Sequence, residues 1–414
     1  MSKYQESHLC VESSYYVFFT LVIMGCMQRL NLRGSYGVIS PMSEDLIISM
    51  SDATSTLILP FLGGLVLGQL FVGSLSDRFG RIPVFIIFLN LYALASLMCI
   101  FVDNVYVLVI FRALTGLASS VGEISVRAII NDFCTLNSGT KVLSRVKATT
   151  YLIAGLSPII MGEISKRVTM GWRSFFVLNA MYCCCVSAVA IYLITNLRTQ
   201  PDEKALTAKK ISQNFKNTLG NRPYLLSAIA FVLINIAIHS MAHFIPVIVL
   251  EYFKKSDEWL SILYAVLIGG LGFISLQVNA LLIGRFSVLT LAQMGCILLL
   301  TIGTLFTGFF LLVDNIEMQF MAYLAFVLIT AICGHISTVN FFAIVTQSLR
   351  NSTTGGGFIC SLTVSLATAA NFVAGGNLSL LQGQPMTTIV LVNYILLSIT
   401  VLYVSYVAAP TIRS

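Results

Sequence analysis

Apolar residues along this chain run in blocks of about 20 or more, each closed by a short polar turn. Blocks of that length, coiled as α-helices, match the hydrocarbon thickness of a bilayer. Reading from turn to turn gives spans at 15–40, 53–74, 82–102, 105–130, 147–166, 174–196, 223–250, 259–284, 287–313, 317–347, 354–382 and 386–409. Only helices satisfy their own backbone polar groups in lipid, and these runs are too long and continuous for barrel strands. The pattern predicts an all-α membrane protein with twelve transmembrane helices. One long polar stretch, residues 198–222 with Pro201 and many Lys, Gln and Asn, separates six spans from six. The expected organisation is an N-terminal six-helix bundle over 1–197, a linker over 198–222 and a C-terminal six-helix bundle over 223–414.

Composition agrees. The chain is 57% hydrophobic and only 10% charged, with a mean hydropathy of +0.90, which leaves too little polar surface to cover a soluble fold. A net charge of +7 would suggest nucleic acid in another setting, but its placement argues against that partner. With both termini cytoplasmic, fifteen of the 24 basic residues fall inside and five (Lys166, Arg167, Arg173, Lys254, Lys255) outside. That asymmetry is the positive-inside rule. The expectation is a multi-pass protein with the lipid bilayer as its surroundings and no nucleic-acid partner. Arg29, Arg33, Arg112 and Arg127 fall within the spans. The ten cysteines form no framework: Cys183, Cys184 and Cys185 are consecutive, pointing about 100° apart on a helix, and read as small apolar fillers. No metal site is expected. The first span lacks an A-x-A-like cleavage site and is expected to be retained.

Between the second and third spans lies Gly73-Ser-Leu-Ser-Asp77-Arg78-Phe-Gly80-Arg81-Ile-Pro-Val84. This glycine-punctuated charged turn resembles the signature loop of the major facilitator superfamily. Five further runs extend the likeness: Gly68-Gln-Leu, Ala93 to Cys99, Phe111-Arg112-Ala-Leu-x-Gly116, Arg127-Ala-Ile-Ile-x-Asp132 and Gly171-Trp-Arg-Ser-Phe175. With them, residues 36–180 resemble the bicyclomycin/chloramphenicol-resistance (Bcr/CflA) group of drug:proton antiporters. The resemblance implies a secondary transporter of a bacterial inner membrane, monomeric and without a bound cofactor, whose parallel halves enclose a cavity lined by the first, fourth, seventh and tenth helices. It also implies a conformational latch of Gly73, Asp77, Arg78, Gly80 and Arg81. Asp77 would face the start of the eleventh helix at Ser352–Gly357, where the helix dipole attracts an anion, and Arg81 would reach Asp132. The group's pattern carries an aspartate near the middle of its first helix where this chain, aligned on Met42 to Leu46, has Arg33. An acidic group suited to a cation or proton is thus replaced by a base.

Arg29 and Arg33 stand i,i+4 on the first span with Tyr36 nearby. A charge at mid-membrane costs about 2.5–3.5 kcal/mol on insertion scales, so neither should face lipid. Arg112, Gly116, Glu123 and Arg127 project within about 60° of one another on the fourth span. Guanidinium groups stay charged and bind carboxylate or phosphate through parallel bonds. The expected substrate-binding set is Arg29, Arg33, Tyr36, Arg112, His239, His243, His335 and Asn340, and the expected cargo a small organic anion: a carboxylate-bearing metabolite or chelator. The plainer alternatives are helix packing for Arg112 and snorkelling for Arg29. Glu123 precedes Arg127 by four, the favourable order for a helix ion pair, and is the acidic candidate for proton coupling beside His239 and His243. Glu163 reads as a surface pair with Lys166 and Arg167. Proton-coupled drug efflux is the competing function. A receptor lacks an output domain here, and an enzyme lacks a nucleophile–base constellation.

Overall fold

The computed structural model describes residues 15–48, 50–134, 136–194, 208–254, 263, 265–347, 359, 362–369, 394–395, 398–400 and 402–403, with the backbone alone for some, including Asp132, His239 and His243. The described chain is almost wholly helical. Its main helices are α1 (Tyr15–Gly34), α2 (Met50–Phe79), α3 (Arg81–Ile100), α4 (Val105–Phe133), α5 (Leu136–Arg167), α6 (Ser174–Ile194), α7 (Arg222–Pro246), α8 (Gly272–Leu282), α9 (Val288–Leu312) and α10 (Ile316–Gln347). Among the described residues, five helices are long and apolar enough to cross a membrane by length and composition, and six if the bent pair at residues 212–238 is one span. The eleventh and twelfth expected spans lie almost entirely outside the described residues. A short helix, Ala208–Gly220, meets α7 at an 83° bend. π-Helical turns at Val247–Tyr252 and Ala265–Leu271 follow α7 and precede α8. Large apolar side chains such as Phe71, Ile87, Leu305 and Leu312 are exposed on the outside of the bundle, as lipid-facing positions require.

Helix boundaries follow local chemistry. Gly80 separates α2 from α3 at φ 91°, a conformation that glycine adopts without a Cβ clash. The chain reverses there, and Arg81 pairs with Asp77 at 2.6 Å and donates to Ser76 Oγ at 2.7 Å. The Asn104 side chain caps α4 by accepting from the Tyr106 N–H at 2.8 Å, and Ser287 caps α9 by accepting from Thr290 at 3.0 Å. The expected fifth span from 147 begins too late: α5 starts at Leu136, carrying Lys141, Arg145 and Lys147 within the helix.

Lipid gives helices no hydrophobic reason to associate, so close backbone packing has to hold them. α2 and α4 meet in that way. A Cβ added at Gly64 would stand 1.9 Å from the Ala113 carbonyl oxygen, and one at Gly116 would stand 2.0 Å from that of Phe61. At the end of the bundle away from Gly80, a charged clamp ties three connections together. Arg173 bonds Asp45 at 2.8 Å and Asp103 at 2.5 Å, while Trp172 Nε1 donates to Asp45 at 2.8 Å. The hydrogen bonds from Trp172 and Arg173 hold the Asp45 carboxyl below its usual range.

Two outcomes follow from this packing. Gly116→Ala should lower stability by about 1–3 kcal/mol, because the wedge meets backbone that cannot yield; thermal unfolding in detergent measures it. Asp45 has a depressed folded-state pKa, so the clamp's contribution is fully present above the unfolded carboxylate value of about 3.9 and is lost as pH falls through the folded value. The melting temperature of the Asp45→Asn variant should therefore fall below wild type at neutral pH and converge with it in acid.

Candidate functional site

The charged residues of the spans gather in two places of opposite character. The first is sealed. Arg112 of α4 is fully buried, with Nε and Nη2 donating to the Leu57 carbonyl at 2.9 and 2.6 Å and Nη1 to Asn31 Oδ1 at 2.8 Å. Asn31 in turn donates to the Tyr92 hydroxyl, which donates to Asn179 Oδ1 at 2.9 Å. The rings of Phe61, Phe176 and Phe175 stand 5.0, 5.7 and 5.9 Å from the guanidinium. Arg112 was expected among the substrate-binding residues. In the structure its donors turn to backbone and amide, and aromatic faces cover its sides.

The second place lies between α1, α4, α5 and α10. Arg29 donates Nη2 to Glu123 Oε1 at 3.2 Å and Nη1 to Thr150 Oγ1 at 3.1 Å, and its guanidinium sits 4.6 Å over the Tyr151 ring. Arg127 pairs with the same Glu123 oxygen from one turn along α4. One carboxylate oxygen thus serves two guanidiniums on different helices. The i,i+4 pair expected from sequence is present, and Arg29 is drawn into it rather than snorkelling outward. The Phe342 ring of α10 covers the far side, 3.8 Å from the Arg127 guanidinium and 5.9 Å from the Lys147 ammonium. Lys147 is 8% exposed. It stands eleven residues into α5, about 16 Å along the helix at 1.5 Å per residue, so it is not one of the surface lysines that the sequence count assumed. Tyr151, one turn further on, packs against His335 of α10 at 4.7 Å between ring centroids.

Arg33 stands 5.9 Å from the Tyr36 ring and forms no ion pair among the described residues. Asn340 donates to Asn279 Oδ1 at 2.7 Å, and Asn279 donates to Ser144 Oγ at 3.0 Å. This amide–amide–hydroxyl chain joins α10, α8 and α5 at the end of the bundle that carries Gly80. Glu163 pairs at the surface with Arg167 at 3.1 Å and Lys166 at 4.0 Å, as expected. Gly73 and Arg78 lie on the last turns of α2, where the Arg78 guanidinium stacks 5.3 Å over Phe79. The side chains of His239, His243 and Asp132, and all of Ser352–Gly357, lie outside the described residues. Among the described residues no three His, Cys, Asp or Glu side chains group as a metal site.

Sequence reading missed Lys147, Thr150, Tyr151, Asn279 and Phe342. One signal was available for Lys147: with Thr150 and Tyr151 at i+3 and i+4, it heads a polar helical face.

Long apolar helices that enclose a buried ion network, with a glycine-hinged charged loop between two of them, mark the chain as a helical membrane protein. The Major Facilitator Superfamily family model matches residues 21–370, and the chain belongs to that family. It is 28% identical over 272 residues to the uncharacterized MFS-type transporter YdgK of Bacillus subtilis, covering 65% of each chain. It is 23% identical over 204 residues to the bicyclomycin resistance protein homolog of Haemophilus influenzae, covering 49% of this chain and 50% of that one. The matched stretch is under two thirds of either relative's length. Among solved structures, the proton:xylose symporter XylE shares the fold at a TM-score of 0.68 and 15% identity, over 96% of both chains.

Replacing Arg112 with Gln should lower stability by about 1.5–3 kcal/mol, through lost charge-assisted hydrogen bonds. Ligand affinity of the protein that remains folded should be unchanged; thermal unfolding and ligand titration separate the two readouts.

Proposed function

We propose that this protein is a secondary transporter that carries a small organic anion across a bacterial inner membrane. Residues 1–197 and 223–414 would form two six-helix halves, joined by the linker 198–222, with both termini cytoplasmic. The halves rock about a central site. The observation that carries the anionic cargo is the charge balance of the buried cluster: among the described residues, Arg29, Arg127 and Lys147 face one carboxylate, Glu123, and Arg33 forms no ion pair beside Tyr36. Buried cations in excess of their partners favour an anion that completes the set.

In this proposal Arg33 and Tyr36 meet the cargo first, and His335 and Asn340 orient it together with His239 and His243. Arg112 holds helices and takes no part in binding. Glu123 serves chiefly as the shared partner of two arginines, and coupling to protons runs through it or through the histidines. Gly73, Asp77, Arg78, Gly80, Arg81 and Asp132 form the latch. The Asp77–Arg81 pair and the Ser144–Asn279–Asn340 chain support a state whose cytoplasmic side is closed.

A second reading is proton-coupled drug efflux, favoured by the bicyclomycin-resistance relative. It relies on Glu123 as the acidic group, and Glu123 is already engaged by two guanidiniums. A thermal-stabilisation panel separates the readings, since a specific ligand stabilises by mass action. Succinate and citrate should raise the melting temperature of the purified protein, and lipophilic cations such as tetraphenylphosphonium should not; the reverse pattern selects efflux. Arg33→Ala should weaken citrate binding by about tenfold or more, and unchanged affinity would sink the role given to Arg33.

A further inference from the structure

The buried cluster leaves specific donors unused. Arg127 gives Nη2 to Glu123, but its Nε and Nη1 are buried without a hydrogen-bond partner among the described residues. The ammonium of Lys147, a residue 8% exposed, makes no hydrogen bond or ion pair among them and stands 5.9 Å from the Phe342 ring. The two cations come from adjacent helices, α4 and α5, and share that one ring, at 3.8 and 5.9 Å. Buried donors normally find partners, and an arginine cannot shed its proton to relieve the need. The neighbouring charges are Glu123 on α4 and Arg29 on α1, with His335 on α10. Glu123 Oε1 is taken by two guanidiniums, so its charge is already answered. With Lys147 protonated, three cations against one carboxylate leave two positive charges over.

We infer that Arg127 and Lys147, beneath Phe342, form the seat for a doubly charged oxyanion: a dicarboxylate or a phosphate. The inference rests on the anion-transport reading and names where the cargo's acid group is held: on two residues that the reading counted for their charge but gave no contact with the cargo. The seat combines point-charge and directional recognition, since the ammonium supplies charge while the guanidinium N–H groups fix direction. The Phe342 ring covers one side of both cations. Phe342 belongs to α10, whereas both cations belong to the first half of the chain, so a bound anion would be enclosed only when α10 lies against α4 and α5.

The test uses the full chain in lipid nanodiscs, with succinate, citrate and inorganic phosphate as probes. Succinate should raise the melting temperature of the wild-type protein, with Lys147→Gln weakening its affinity by about tenfold or more and Lys147→Arg largely retaining it. Reductive methylation of Lys147 in the wild-type protein, mapped by peptide mass spectrometry, should fall when succinate is present; this readout does not depend on any variant folding. Stabilisation by phosphate alone, with the same protection of Lys147, would support the seat and assign it the phosphate class. If anions stabilise the protein but Lys147→Gln binds them as wild type, or Lys147 labels equally with and without them, the seat is overturned while anion transport stands. If none of the three probes stabilises the wild type, both fall together.

Discussion

The interior of a bilayer offers neither hydrogen bonds nor counter-charge, so each buried cation in this protein has to be answered by the protein itself. Two solutions appear side by side. Arg112 is neutralised in effect by dipoles and rings: one backbone carbonyl, one amide and three aromatic faces, with no carboxylate among the described residues within ion-pairing distance. Arg29 and Arg127 are answered by one shared carboxylate. The first arrangement is complete and static. The second is incomplete among the described residues, because they give the Lys147 ammonium an aromatic face but no carboxylate of its own.

The rest of the first half serves to hold these two arrangements in place. α2 and α4 touch through Gly64 and Gly116, which sets Arg112 against Leu57, and Gly122 of α4 meets the Met24 carbonyl of α1 beside Glu123. Arg173 ties the connections after α1, α3 and α5 into one rim, so the far ends of those helices cannot splay independently. Cations set on such helices keep their spacing when the bundle moves as a body. Among the described residues no ion pair joins α5 to α8 or α10; those contacts are amide, hydroxyl and ring, with the Lys147 ammonium against the Phe342 face.

The helical architecture was readable because a bilayer imposes length and polarity on every span, and that constraint is local in sequence. So were the glycine at the α2–α3 turn and the Glu123–Arg127 pair, since both depend on residues within one or two turns. The fates of Arg112 and Lys147 were not. Arg112 lies on the same face of α4 as Glu123 and Arg127, but its surroundings come from Leu57, Asn31 and Phe175, 55 to 81 residues away for the hydrogen-bonded partners. Lys147 resembles a surface lysine at the mouth of a span, and only the earlier start of α5 at Leu136 puts it inside. The Asn279 link to Ser144 spans 135 residues, and no periodicity records it.

The chain Ser144–Asn279–Asn340 is built from neutral groups. Parting it separates no charge, so the electric field across a membrane, which acts on each elementary charge with about 2.3 kcal/mol per 100 mV, has no purchase on these bonds. Salt screens charges and would leave them equally untouched. The charge that a movement opening this contact carries through the field depends instead on the cluster above it, where Arg29, Arg127 and Glu123 leave one surplus positive charge, and two when Lys147 is protonated. With Lys147 protonated, a dianion in the proposed seat would cancel that surplus, and loading would lower the sensitivity of the step to voltage.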